Sequence, residues 1–186
     1  MGSIKAVQDL DLPGIKLLKF QAHADDRGSN IKILSTEELK TDGIDFSPVE
    51  ILAMHSNRNV LRGIHFQKEY SQSRMIYCRN GRLFLAMVNL DKDSTAFGKS
   101  CSYLLQGRDE AVYVPTAYAL GTLAIEDTDF FCLCGENPFK GTYTAGINWA
   151  DEDLAIKWPL PREEIITSAG DRRLPSYQAV LKELKE

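Results

Sequence analysis

Apolar positions in this chain fall in short runs, alternating or nearly continuous, that turn formers interrupt at close intervals. Residues 49–55, 59–66, 73–79, 82–89, 99–105, 110–114, 119–125 and 128–134 have the length and β-branched or aromatic content of strands. Asn80-Gly81, Asp91-Lys92-Asp93-Ser94, Gln106-Gly107-Arg108-Asp109 and Glu126-Asp127 separate them, and Asn80-Gly81 predicts a hairpin. Upstream, Pro13-Gly14 turns the chain into a strand ending at Phe20. Asp25-Asp26-Arg27-Gly28-Ser29 is a tight turn at a strand end, and residues 31–34 resume the extended run. A short helix is expected from Ser35 to Lys40, with a Ser or Thr cap and Glu at the capping-box offset. A second, at 176–185, would rest its apolar face on the sheet. Many strands without long crossover helices predict an antiparallel sandwich or barrel, since a parallel nucleotide-binding sheet needs those helices.

With 186 residues the chain fits one domain, 1–186, and is expected to bury roughly 70% of its surface on folding. Twenty-two basic and 26 acidic residues give a formal charge of −4 with no Lys/Arg block. Nucleic acid and anionic membranes are therefore not expected partners. No apolar stretch approaches the roughly 20 residues of a bilayer span, and no basic start precedes an apolar segment. A cytoplasmic protein is expected.

The stretch Leu61-Arg62-Gly63-Ile64-His65-Phe66-Gln67 puts a neutral base and a permanent cation on one strand. Regular alternation sends Arg62 and His65 to opposite faces. They can share a pocket only if the chain bulges or twists around Gly63, where the missing side chain permits close approach. By themselves these residues also suit an ordinary strand.

Cys78, Cys101, Cys132 and Cys134 lie in apolar surroundings and form no disulfide framework. Cys132 and Cys134, one residue apart, read as small apolar side chains on one strand face. His23, His55 and His65 form no close pair with metal-ligand spacing, so no metal cofactor is expected.

The ordered series Asp26-Arg27-Gly28, Leu61 to Gln67, Ser94-Thr95-Ala96-Phe97-Gly98-Lys99, Val114-Pro115, Gly146-Ile147-Asn148-Trp149-Ala150-Asp151, Ile156-Lys157-Trp158-Pro159-Leu160 and Ser168-Ala169-Gly170-Asp171-Arg172-Arg173 spans nearly the whole chain. It resembles the dTDP-4-dehydrorhamnose 3,5-epimerase family. The resemblance implies an all-β, cupin-like double-stranded β-helix jelly roll, a homodimer, no required cofactor, and a nucleotide-linked 4-keto-6-deoxysugar as substrate, with dTDP the family's nucleotide.

Carried over residue by residue, the resemblance makes His65 the proton-abstracting base and Asp151 its buried carboxylate partner. Arg62 and Arg27 become the cations that hold the diphosphate, a task suited to a planar, permanently charged fork. Arg74 stands where a Lys is usual and is assigned to oxyanion stabilisation. Gln67, Phe66 and Tyr143 are candidate substrate-binding residues. The chain also departs from the family pattern. Cys132 occupies the position of a tyrosine that serves as opposite-face acid or orients the sugar, which makes the thiol a candidate donor. Leu133 replaces a common Lys, Leu120 a common His, Leu85 and Asn89 typical acidic residues, and Ser29-Asn30 an aromatic pair. Tyr113, Tyr118 and Tyr143 are possible replacement acids.

The function expected is epimerisation at C3, C5 or both, in which the C4 ketone acidifies the neighbouring carbons. The alternatives are a C3-only monoepimerase with an altered substrate and a noncatalytic sugar-nucleotide binder.

Overall fold

The computed structural model describes residues 3–185. In chain order its first strands are β1 (Ile4–Asp9), β2 (Lys16–Phe20), β3 (Ala22–Asp25), β4 (Gly28–Ile31), β5 (Pro48–Ser56) and β6 (Leu61–Gln67). They continue with β7 (Arg74–Asn80), β8 (Leu83–Asn89), β9 (Ser100–Leu105), β10 (Glu110–Val114), β11 (Tyr118–Ala124), β12 (Thr128–Gly135) and β13 (Thr144–Gly146). Two helices, α1 (Thr36–Thr41) and α2 (Tyr177–Lys185), lie at the periphery. Alternation places the eight strands expected from residue 49 onward within about two residues of their observed bounds, whereas the extended run expected at 31–34 is displaced, β4 ending at Ile31. It misses β1, an exposed or half-buried edge strand with a weak apolar signal, the fully exposed β3 and the three-residue β13.

Two antiparallel sheets form a cupin-like jelly roll. One has the order β1-β2-β10-β7-β12-β5, the other β13-β6-β11-β8-β9. β3 and β4 make a separate hairpin, exposed along nearly its whole length. Between the main sheets lies an apolar layer that includes Leu17, Ile76, Val112, Phe130, Leu85, Met87 and Leu120. On the outer face of the six-stranded sheet, α1 and the loop after it supply Leu39, Ile44 and Phe46. On the outer face of the five-stranded sheet, α2 and the Trp149 and Trp158 indoles cover Phe84, Ala86 and Val88.

Two local expectations change. Asn80-Gly81 turns the chain sharply, with Gly81 at φ +89°, but β7 and β8 belong to different sheets. The turn is a crossover, not a hairpin. It packs beside the Glu126-Asp127 crossover, and Ile125 N–H donates to the Arg82 carbonyl at 3.0 Å. β7 thus pairs with β12, and β8 with β11, each antiparallel, which winds two hairpin arms into the jelly roll. The capping box before α1 does not close either. Ser35 makes no side-chain cap bond. Glu38 instead accepts hydrogen bonds from Ser3, just before β1, and from Ile4 of β1, and pairs with Lys32. Those contacts hold its carboxyl down to about 2, the Lys32 bond contributing most.

The feature that shapes the interior is in β6. Opposite β11, His65 faces Leu120 while Arg62 faces Thr122, so β6 carries one residue more than its partner between these pairs. This bulge is centred on Gly63, whose φ is +107°. A Cβ there would lie 2.7 Å from the Leu120 carbonyl oxygen and 3.0 Å from the His65 nitrogen. The extra residue resets the alternation, so Leu61, Ile64 and Phe66 join the outer apolar cluster and Arg62, His65 and Gln67 turn inward together.

A Gly63→Ala substitution should therefore cost about 1–3 kcal/mol, seen as a melting temperature lowered by roughly 2–12 °C. Gly141→Ala, where the added Cβ meets only the Phe139 ring at 3.8 Å, should leave melting nearly unchanged.

Candidate active site

Between the two sheets is a cavity of about 420 Å³. From the five-stranded sheet it receives Arg62, His65, Phe66 and Gln67 of β6, Leu120 and Thr122 of β11, and Thr144 of β13. From the six-stranded sheet it receives Leu52 and Met54 of β5, Arg74 and Ile76 of β7, and Cys132 and Cys134 of β12. Gln72, Phe139, Ser168 and Asp171 add loop groups. One wall carries most of the polar side chains. The other is apolar apart from one guanidinium and two thiols.

His65 Nε2 lies 2.6 Å from Asp171 Oδ1. The carboxylate side chain is 9% exposed and the imidazole 38%. Asp171 reaches this position because the chain before it runs beside the start of β6. Val60 and Ile166 form a parallel bridge, Leu61 N–H donates to the Ile166 carbonyl at 2.8 Å, and Ile166 N–H donates to the Asn59 carbonyl at 2.9 Å. A turn then folds back, with Asp171 N–H donating to Ser168 Oγ at 3.0 Å. The carboxylate acceptor makes Nε2 the protonated nitrogen and leaves the lone pair on Nδ1.

The pairing of His65 with Asp151 is corrected by this geometry. Asp151 Oδ1 accepts from Asp153 N–H at 3.0 Å, and Oδ2 accepts from Tyr177 N–H at 2.8 Å. It caps the turn Glu152–Leu154 and the start of α2, away from the cavity. Sequence reasoning passed over Asp171 although it stands in the Ser168-Ala169-Gly170-Asp171 motif. The usable signal was local: an Asp directly before Glu152 and Asp153 suits a helical cap.

Arg74 bridges the sheets from β7. Its Nη2 donates to the Tyr118 carbonyl at 2.6 Å and its Nη1 to the His65 carbonyl at 3.3 Å. Its Nε–H is buried without a partner. Burial lowers the guanidinium pKa from its ordinary value, while Cys132 and Cys134 pull it back up. Arg62, at the opening, donates from Nε to Ser56 Oγ at 3.0 Å and from Nη2 to the His55 carbonyl at 3.0 Å. Gln67 uses both ends of its amide on loop backbone, accepting from Lys140 N–H at 2.6 Å and donating to the Tyr70 carbonyl at 2.7 Å. It positions the loops over the cavity.

Cys132 and Cys134 are buried neighbours on one face of β12, with sulfurs 3.7 Å apart. Phe66, which packs in the outer cluster, also borders the cavity. Tyr143 does not: it packs on Tyr70 with ring centroids 5.0 Å apart, and the Lys140 ammonium covers the Tyr70 ring at 3.5 Å. Arg27 does not line the cavity either. It sits at the tip of the β3–β4 hairpin, 90% exposed, and pairs with Asp25 at 2.6 Å. The Tyr118 hydroxyl donates to the Pro13 carbonyl at 2.8 Å and accepts from Asn89. Tyr113 packs edge-on to Phe46 in the outer cluster. Neither lines the cavity.

Comparison with known proteins finds a family model, dTDP-4-dehydrorhamnose 3,5-epimerase, matching residues 9–179. The enzyme of that name from Escherichia coli strain K12 is 30% identical over 167 residues, spanning 88% of this chain and 90% of its own. The crystal structure of dTDP-4-dehydrorhamnose 3,5-epimerase from Bacillus anthracis, with TDP and PPi bound, is 28% identical and superposes with a TM-score of 0.85, covering 92% of this chain and 98% of that one. In fold, the dTDP-6-deoxy-D-glucose-3,5-epimerase of Legionella pneumophila, in complex with dTDP-4-keto-L-rhamnose, gives a TM-score of 0.90 at 22% identity, covering 96% of each chain. The residue motifs, the jelly roll and the matched length agree: this chain belongs to the dTDP-4-dehydrorhamnose 3,5-epimerase family.

Proposed function

We propose that the protein is a cofactor-independent epimerase that inverts C3, C5 or both in a nucleotide-linked 4-keto-6-deoxysugar, with dTDP as the nucleotide. The observation that carries the mechanism is the His65–Asp171 pair at the cavity wall. The C4 ketone lets an adjacent C–H be lost as an enolate. His65 Nδ1 takes that proton, and the carboxylate on Nε2–H holds the tautomer and stabilises the imidazolium that forms.

The enolate oxygen needs a donor already in place, because a group that must reorient during the reaction gives less stabilisation. Arg74 suits this role. Two of its nitrogens are committed to backbone carbonyls, while its Nε–H is an orphaned buried donor. The two backbone bonds hold the guanidinium fixed against the cavity, where its charge can stabilise an enolate without reorienting. Arg62 at the opening supplies a permanent cation for the diphosphate. The reaction asks for a base, an oxyanion donor and an acid, all of which side chains provide. Four free cysteines suit a reducing, cytoplasmic setting.

A homodimer is part of the same reading. β5 is a nine-residue edge strand whose Val49 and Ile51 are 57% and 58% exposed. A long apolar edge is a site of strand pairing unless another copy covers it. In such a dimer, the projecting hairpin of a partner copy would give Arg27 a route to the diphosphate.

NMR in D₂O with dTDP-4-keto-6-deoxyglucose should show deuterium entering C3, C5 or both, and His65→Asn should abolish it. Saturable binding without exchange would leave a sugar-nucleotide binder, and label at C3 alone would make the protein a monoepimerase. Asp171→Asn should slow exchange by about 10²–10⁴-fold with little change in melting temperature. Asp151→Asn should lower the melting temperature and spare exchange by the folded enzyme. Ile51→Lys should shift the sedimentation coefficient from dimer to monomer.

A further inference from the structure

Returning a proton to the ring on the face opposite His65 requires an acid on the other wall of the cavity. Among the described residues lining that wall, Leu52, Met54 and Ile76 carry no acid, and arginine holds its proton too tightly to serve. Tyr113, Tyr118 and Tyr143 lie outside the cavity. The remaining proton donors are the Cys132 and Cys134 thiols, which enter the cavity from β12 while His65 enters from the opposite sheet.

We propose that Cys132 and Cys134 form a two-thiol proton relay, in which Cys132 protonates the enolate carbon on the face opposite His65 and Cys134 receives the resulting negative charge beside Arg74. This rests on the epimerase reading above. The Cys132 S–H bond breaks as the new C–H bond forms, and the enolate electron pair becomes the C–H bond as the C4 carbonyl is restored. Cys134 then passes its own proton across the 3.7 Å gap to Cys132. At the end of the cycle the His65 imidazolium gives its proton to water and the thiolate left on Cys134 takes a proton from water. Atoms and charge balance with solvent water as the only other participant.

The electrostatics agree with that direction of transfer. The hydrogen bond to Cys134, then burial, push the Cys132 thiol up, so it keeps its proton until the enolate demands it. The same bond, with help from Arg74, lowers Cys134. A carbon acid next to a ketone is far weaker than a thiol, so protonation of the enolate by sulfur runs downhill. Cys134 is a positioning residue, acting on the sugar through Cys132.

The test separates loss of a proton from inversion. With dTDP-4-keto-6-deoxyglucose in D₂O, an enzyme lacking the opposite-face acid can still exchange the C–H through His65 and return deuterium to the same face. Cys132→Ala and Cys132→Ser should keep exchange with retention while inversion falls by about a hundredfold or more. Cys134→Ala should shift the same partition in the same direction, a change that mere loosening of β12 would not produce. Inversion equal to wild type in both Cys132 variants would overturn the relay. No exchange in wild type would overturn the epimerase reading itself.

Alkylation of the wild-type enzyme avoids any folding defect. Cys132 and Cys134 line the cavity whereas Cys78 and Cys101 do not, and burial holds the latter two thiols up at about 11 and about 12, so the iodoacetamide modification that bound dTDP blocks should be that of the cavity thiols, Cys134 in particular. Peptide mapping should find that mark at Cys134, with inversion lost and exchange retained. An alkylated Cys134 with full inversion would refute the proposal.

Discussion

One extra residue in β6 is the constraint on which the interior depends. Without the bulge at Gly63, strict alternation would put Arg62 and His65 on opposite faces of the sheet. One of them would be forced into the outer cluster of Phe84, Ala86 and Trp149, where a charge or an imidazole has no water and no partner. The bulge sends three functional side chains, Arg62, His65 and Gln67, inward and lets the apolar residues between them, Ile64 and Phe66, anchor the same strand from outside. A single strand therefore serves packing on one face and chemistry on the other.

The cavity is divided by chemistry between the two sheets. The five-stranded sheet presents the base, with hydroxyl and amide groups, and a loop beside it presents the carboxylate of Asp171. The six-stranded sheet presents hydrocarbon, sulfur and Arg74. Arg74 joins the halves, since it starts on one sheet and spends two donors on backbone carbonyls of the other. Water is scarce at its guanidinium, so the cation acts on its neighbours with little screening. Two of the departures from the family pattern, Leu120 and Cys132, fall on this cavity. They replace groups that hydrogen-bond by groups that fill space, and so concentrate the polar duties on fewer atoms.

Loops supply what strands cannot. Asp171 is 106 residues from His65 along the chain and arrives only because residue 166 zips against the start of β6. Gln67 fastens two loops by their backbones and keeps them over the opening. These contacts depend on long-range closure, which local propensity does not encode. They set the precision of the site, since a base must meet its proton within hydrogen-bonding distance.

Alternation, turn residues and the scarcity of long amphipathic helices were enough to locate most strands, both helices and the all-β class. Gly63 beside Arg62 and His65 was enough to require a bulge if the two were to meet. These are local properties, because a side chain's face and a glycine's conformational freedom depend on immediate neighbours in the chain. Tertiary structure decided the rest. Asn80-Gly81 crosses between sheets because β12 and β11 offered better partners than β7 and β8 offered each other. Asp171 in place of Asp151 pairs with His65 because two backbone N–H groups already occupy Asp151. Cys132 and Cys134 became a thiol pair facing a base only when the sheets closed over one cavity. Each of these depends on which distant groups compete for the same partner, a competition that exists only in the folded chain.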